Sequence, residues 1–267
     1  MKNNNWTPQK IAEAKKLTSG PLGKTIAKFP LRFAMSILIG NPLDSSLTPD
    51  VNSGTATLVD LGRGPMVITC KHVLDQYRAR LNLDLGTRFQ VGNLQFDPLP
   101  HIIAEGRRVD LVTIDLKGLK ISDLLGEEEI GRTFFQPHTW PPKPLMEGEF
   151  VSFGGFPGLW REQVRRREFE FSAFTAATSK VGFFSNNYFV IQLEREYWIK
   201  IFNYDDRADL HRLDGLSGAP VFSERRMREF LTTFELVGVA YQFSEEFDLL
   251  YAILVQLIRN DGRLEEG

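Results

Sequence analysis

From about residue 31 onward the chain is built of short runs in which β-branched and aromatic residues alternate with polar ones. FAMSILIG, GTATLVDLG, PMVITCKHV, RFQVGNLQF, DLVTIDLKG, EFVSFGGF, EFEFSAFTA, YFVIQLE, APVFSE, FELVGVAYQF and LLYAILV each read as a strand. Most are bounded by Gly, Pro, Asn or Asp, the residues that turn a chain. Many short strands without long helices between them point to an all-β barrel or sandwich, not a parallel α/β sheet. Only TPQKIAEAKKL, at 7–17, carries a helix pattern, opened by threonine and proline. The proline-rich stretch FFQPHTWPPKPLMEG, at 134–148, interrupts the strands near mid-chain and reads as a connector between two β halves.

Composition narrows the class. The 267 residues can hold one large or two small cores, and 42% of them are hydrophobic, a globular composition. The formal net charge is −2, so nothing calls for a nucleic acid or an acidic membrane as partner. The start, MKNNNWTPQKIAEAKK, lacks the apolar core of a secretory signal, and FAMSILIG is too short to span a bilayer. With a single cysteine, Cys70, no intrachain disulfide can form. The expectation is a cytoplasmic protein of a reducing compartment.

Candidate chemistry begins with HRLDGLSGAPVFSE, at 211–224, where two glycines bracket Ser217 and a proline fixes the exit. A serine hydroxyl is a weak nucleophile unless a base takes its proton, and the base must itself be oriented. Of the four histidines, His101 follows a proline, His138 lies in the connector and His211 is close to Ser217 along the chain. His72 differs, because it ends the strand-like run VITCKHV where a turn or helix follows. The acid candidate is Asp110, which leads the alternating strand DLVTID; Asp115 is a rival at the far end of that strand.

These stretches, in the order His, Asp, Ser, resemble the trypsin/chymotrypsin-like serine peptidases, especially compact bacterial members. The base motif is Ile68-Thr69-Cys70-Lys71-His72-Val73, the acid motif Asp110-Leu111-Val112-Thr113-Ile114, and the nucleophile motif Gly215-Leu216-Ser217-Gly218-Ala219-Pro220. Supporting stretches are Gly54–Val59, Gly148–Gly158 and Val237–Tyr241. The resemblance covers roughly residues 31–260 and implies two six-stranded antiparallel β-barrels with a short N-terminal helix. It divides the chain into an extension at 1–30, a first barrel at 31–133 with His72 and Asp110, a connector at 134–148 and a second barrel at 149–267 with Ser217.

The implied activity is hydrolysis of peptide bonds by an intracellular serine endopeptidase with catalytic His72, Asp110 and Ser217. The N–H groups of Gly215 and Ser217 would form the oxyanion hole, and His211, Tyr241, Gln242 and Phe243 would meet the substrate. A protein or peptide substrate and a regulatory protein partner are implied, with no cofactor and no membrane. Leu216 departs from the family, which has an acid or amide there; leucine cannot pair with a new N-terminus, so this loop is either held by packing or ordered only when substrate or a partner binds. Lys71 replaces a small residue, and Phe243 stands where enzymes accepting large side chains carry glycine.

Other readings compete. A catalytically silent peptidase-fold module that binds peptides or partners is the alternative, favoured by Leu216 and Phe243. Cys70 invites a Cys–His reading, against which a buried small hydrophobe is the commoner role for free cysteine. No zinc-ligand spacing is present among the histidines and the cysteine. An esterase elbow needs G-x-S-x-G and the order Ser, Asp, His, and neither occurs here. Arg161, Arg165, Arg166 and Arg167 are close enough to contact nucleic acid, but acidic neighbours make a solvated hairpin tip the simpler reading.

Overall fold

A computed structural model describes residues 20–44, 50–125, 131–165, 168–193, 212–228 and 231–265. The first strands are β1 (Ala34–Gly40), β2 (Asn52–Asp60), β3 (Pro65–Thr69), β4 (Arg88–Val91), β5 (Leu94–Phe96), β6 (Ile102–Glu105) and β7 (Val112–Asp115). They form one antiparallel sheet in the order β5-β4-β1-β2-β3-β7-β6. The sheet curls, because inward side chains from both of its arms meet in one core: Phe89, Ile37, Leu58, Val67 and Ile114 pack together.

The second half contains β8 (Phe150–Gly155), β9 (Arg161–Arg165), β10 (Glu168–Phe171), β11 (Phe174–Phe184), β12 (Tyr188–Gln192), β13 (Pro220–Arg228), β14 (Leu231–Ser244) and β15 (Leu249–Leu254). Six of these close a barrel in the order β11-β12-β15-β14-β13-β8, and β9 and β10 form a separate hairpin. The double-β architecture is therefore as expected, with one refinement. The first half has seven strands instead of six, and its edges β5 and β6 do not pair among the described residues. The extra strand arises because RFQVGNLQF folds back on itself as β4 and β5, turning at Gly92 with φ +56°.

The helices pack on different halves: the first lies against β8 and β11, and the next two lie against the first sheet. Helix α1 (Pro21–Lys28) precedes β1, whereas the helix expected at 7–17 lies outside the described residues. Helix α2 (Lys71–Leu83) follows β3 directly and closes the open side of the sheet with Val73, Leu74 and Tyr77. A short helix α3 (Ile121–Leu125) adds Leu124 to the same core. Among the described residues no helix is long and apolar enough to cross a membrane.

A shared apolar layer joins the halves. Phe222 of β13 faces out of the barrel, while its neighbour Val221 faces in. Phe222 meets Phe135 of the connector at 5.0 Å, Phe29 at 5.2 Å and Phe33 at 5.4 Å between ring centroids. Phe135 is held in place by backbone bonds to β2, donating to Leu58 O and accepting from Asp60 N. Further along the connector, Trp140 donates its indole N–H to Ile258 O at 2.6 Å. Phe222→Ala should cost about 3–5 kcal/mol by leaving a cavity in this layer. Phe183→Ala, at an exposed position of β11, should change stability by no more than about 0.5 kcal/mol. Urea unfolding of both variants checks the pair.

Candidate active site

β3 ends at Thr69, Cys70 keeps an extended backbone, and α2 starts at Lys71, so His72 stands in the first turn of the helix. Cys70 supplies no side-chain cap to that turn. Asp110, in the bend before the neighbouring strand β7, supplies one. Its Oδ1 accepts the His72 backbone N–H at 2.9 Å, and its Oδ2 lies 2.5 Å from His72 Nδ1. One carboxylate thus satisfies an unpaired helix N–H, meets the positive end of the helix and fixes the imidazole. Asp115, the rival acid, bonds the backbone of Lys117 instead. Lys71 is engaged away from the imidazole, bonded to Asp75 at 2.6 Å and 3.4 Å from Glu105.

Ser217 is carried by the loop that leads into β13. Gly215 and Gly218 on either side have φ of +99° and +97°, a region that side chains with a Cβ rarely adopt. A Cβ on Gly218 would lie 1.8 Å from Thr55 O, so glycine is obligatory there. Buried threonines of the first sheet tie the loop down. Thr55 donates its N–H to Ser217 O at 2.9 Å and its hydroxyl to Gly215 O at 2.9 Å. Thr57 donates to Gly218 O at 2.7 Å, and Thr69 braces Thr55 by donating to its carbonyl at 2.8 Å. Leu216 is 2% exposed and packs inside the second barrel, beside Ala219 and Val221. The loop is held by packing and neutral hydrogen bonds.

His72 and Ser217 line one cavity of about 460 Å³ at the junction of the two halves. Gly215, Tyr241, Gln242 and Phe243 line it as well, together with Ser53, Gln76 and Arg161. His211 lies outside the described residues. The Ser217 hydroxyl donates to Tyr241 O at 3.2 Å, and no bond joins it to His72. No acceptor among the described residues is bonded to the N–H of Gly215 or Ser217, whereas Leu216 N–H donates to Leu213 O.

Ionisation follows from these surroundings. Burial resists ionisation of Asp110, but the hydrogen bonds from the His72 ring and backbone outweigh it and hold the carboxyl below its ordinary range. Burial, with Asp110 nearby, pushes the Cys70 thiol well up, and its Sγ lies 3.3 Å from Ala240 O. Cys70, His72 and Asp110 bring their ligand atoms within 4.8 Å of one another. That trio suits a cation poorly: the imidazole Nδ1 and carboxylate are committed to each other, and metals bind thiolate, not thiol. Burial pushes the Tyr241 phenol up to about 12, so it stays protonated beside Tyr188 and Tyr251.

The sequence singles out Ser217, His72, Asp110, Gly215 and the Tyr241–Phe243 strand, and these surround or adjoin one cavity. It does not single out Thr55, Thr57, Gln76 or Arg161 as partners in that site. The threonines do alternate within GTATLVD, but strand threonines are common and their partners lie about 160 residues away.

Two measurements probe this geometry. Thr57→Val keeps the shape but leaves the Gly218 carbonyl buried without a donor, and should cost about 1–3 kcal/mol in urea unfolding. A carboxyl that ionises more readily in the folded chain stabilises the fold above the ordinary carboxylate pKa, about 4, and that contribution disappears as pH falls through the folded value. Wild type should therefore exceed Asp110→Asn in Tm at pH 7, and the two should converge on acidification below about pH 4. Equal Tm values at pH 7 would contradict the assigned carboxylate bonds.

No family model matches the chain, and no curated protein matches it. Solved structures do. The active form of the Rv3671c protease from M. tuberculosis is 12% identical, with 88% of this chain and 82% of that one covered and a TM-score of 0.45. The scabies mite inactivated protease paralogue S-I1 is 14% identical, covering 86% and 91%, with a TM-score of 0.48. Catalytically inactive tobacco etch virus protease complexed with substrate is 14% identical, covering 87% and 80%, with a TM-score of 0.41. These three solved structures are two proteases and one inactivated protease paralogue.

Proposed function

We propose that this chain is a serine endopeptidase of the trypsin/chymotrypsin-like type, with Ser217 as nucleophile, His72 as general base and Asp110 as the orienting acid. The observation that carries the reading is the Asp110 carboxylate, bonded to both the backbone and Nδ1 of a histidine that shares a cavity with Ser217. With Nδ1 engaged, Nε2 is the atom free to take the serine proton. Attack of Oγ on the peptide carbonyl passes that proton to Nε2, and Asp110 offsets the imidazolium charge. The developing oxyanion is met by the uncommitted N–H groups of Gly215 and Ser217, each such donor being worth about 10²–10³ in rate. The imidazolium protonates the leaving amine, and water resolves the acyl-enzyme by the same steps in reverse. Tyr241, Gln242 and Phe243 form the wall along which the peptide lies.

One step must precede attack. The Ser217 hydroxyl has to turn from Tyr241 O toward His72, giving up a long 3.2 Å bond. A neutral hydrogen bond of this kind is worth about 0.5–1.5 kcal/mol, so the turn is a small barrier. The same bond favours the second reading, a catalytically silent module of this fold whose serine stays turned away and whose cavity only binds peptide.

A fluorophosphonate probe separates the two. The first reading expects mass spectrometry to locate the probe on Ser217, Ser217→Ala to abolish labelling and His72→Ala to slow it by orders of magnitude. Peptide hydrolysis should fall in parallel, and the double variant should be little worse than either single one because the groups act as a unit. Cys70→Ala should retain activity. A folded wild-type chain that neither labels nor hydrolyses a peptide library would establish the silent reading.

A further inference from the structure

Arg161 opens strand β9 and lines the cavity shared by His72 and Ser217. Its guanidinium lies over the Phe169 ring, 5.6 Å from the centroid. No hydrogen bond or ion pair reaches that guanidinium among the described residues. The other arginines beside charged partners behave differently. Arg212, also lining the cavity, bonds Asp214 through Nε at 3.2 Å and Nη2 at 3.1 Å. Arg78 bonds Glu105 through both terminal nitrogens at 2.7 Å, and Arg225 pairs with Glu149 and Glu235. With Arg212 and Asp214 neutralising each other, Arg161 is the uncompensated cation of the cavity wall among the described residues.

Burial is the cause that lowers the pKa of Arg161, and no carboxylate among the described residues acts against it. Partial desolvation of a guanidinium is unfavourable unless an anion or several acceptors compensate. The Phe169 ring engages only the flat face of the group. Its five N–H donors lie in the plane, in a fork that matches a carboxylate in two-point fashion. A solvated hairpin tip, the simpler expectation for this arginine-rich stretch, does not describe Arg161, which sits half-buried at the base of the β9–β10 hairpin.

We propose that Arg161 is a specificity-determining residue that binds the side-chain carboxylate of an aspartate or glutamate in the peptide substrate, close to the scissile bond. The proposal rests on the peptidase reading for its location but not for its measurement. An acidic side chain entering the cavity would complete the ion pair that the described chain leaves open. Lysine or arginine at the same substrate position would be repelled, and the glutamine isostere would lose the charge-assisted part of the contact.

The test uses fluorescent peptides in which one position at a time is Glu or Gln on an otherwise neutral background. The readout is the ratio of kcat/KM between each Glu peptide and its Gln partner, which a change in folded fraction does not move. Wild type should favour Glu at one position by about tenfold to a hundredfold, the range for hydrogen bonds to a charged group. Arg161→Gln should bring that ratio close to one, and Arg161→Glu should favour Lys at the same position. Anisotropy of the same peptides with Ser217→Ala gives the ratio of affinities without any turnover. A chain that binds with this preference but hydrolyses nothing overturns the peptidase reading and upholds the acidic subsite. The absence of a Glu preference at every position in both measurements, or a preference unchanged in Arg161→Gln, overturns the subsite.

Discussion

The joint between Thr55 and the Ser217 loop is the constraint on which the rest of the cleft depends. Thr55 sits in the middle of β2, its backbone and hydroxyl both bonded to carbonyls of a loop that belongs to the other half of the molecule. The same hydroxyl oxygen accepts the Phe156 N–H at 3.0 Å, so one side chain ties β2, the end of β8 and the serine loop together. Gly218 must be glycine because Thr55 O occupies the space of its Cβ. These bonds are buried, where a lost partner is costly because water cannot replace it. The joint holds Ser217 against the sheet that carries His72 without any buried charge.

Charge is concentrated instead at the start of α2. Asp110 compensates a helix N-terminus that its own N-cap residue leaves open, and in doing so orients His72. The fold-stabilising and site-forming roles of this carboxylate are one set of bonds. A ring of ion pairs farther along the helix, from Asp75 through Arg78 to Glu105, holds the Lys71 and Arg78 cations away from the imidazole. In that setting Cys70, two residues before His72, is a packed thiol under Ala240 O, fully buried. Its closeness to the imidazole in sequence says little about reactivity, since the pKa set by burial decides that.

The alternation of side chains makes most strands legible: each of the eleven apolar runs contains a strand, and their limits follow the glycines, prolines and asparagines. After His72 the sequence leaves a turn and a helix equally open, although Val73, Leu74, Tyr77 and Leu81 recur on one face of HVLDQYRARLNL. The β-branched run before that segment dominates the local pattern, and its short apolar stripe would also suit a loop. Strands β6 and β9 are not legible, because partly exposed edge and hairpin strands lack a buried face to pattern. The seventh strand of the first sheet follows from a turn within one apolar run.

The sequence by itself determined that this is an all-β chain, that Ser217 lies between two glycines, and that a histidine and an aspartate stand at strand ends in the order His, Asp, Ser. Local sterics and two-residue periodicity carry that information, and both are properties of neighbouring residues. Only the tertiary structure decided that Asp110 rather than Asp115 meets His72, that threonines of β2 and β3 secure the serine loop, and that Arg161 faces the cavity without a carboxylate among the described residues. Those outcomes depend on which surfaces meet when the two halves pack, across separations of 38 residues for Asp110 and 160 for Thr55. Hydrogen bonds and ion pairs over such distances leave no periodic trace along the chain, because each depends on how two distant segments pack together.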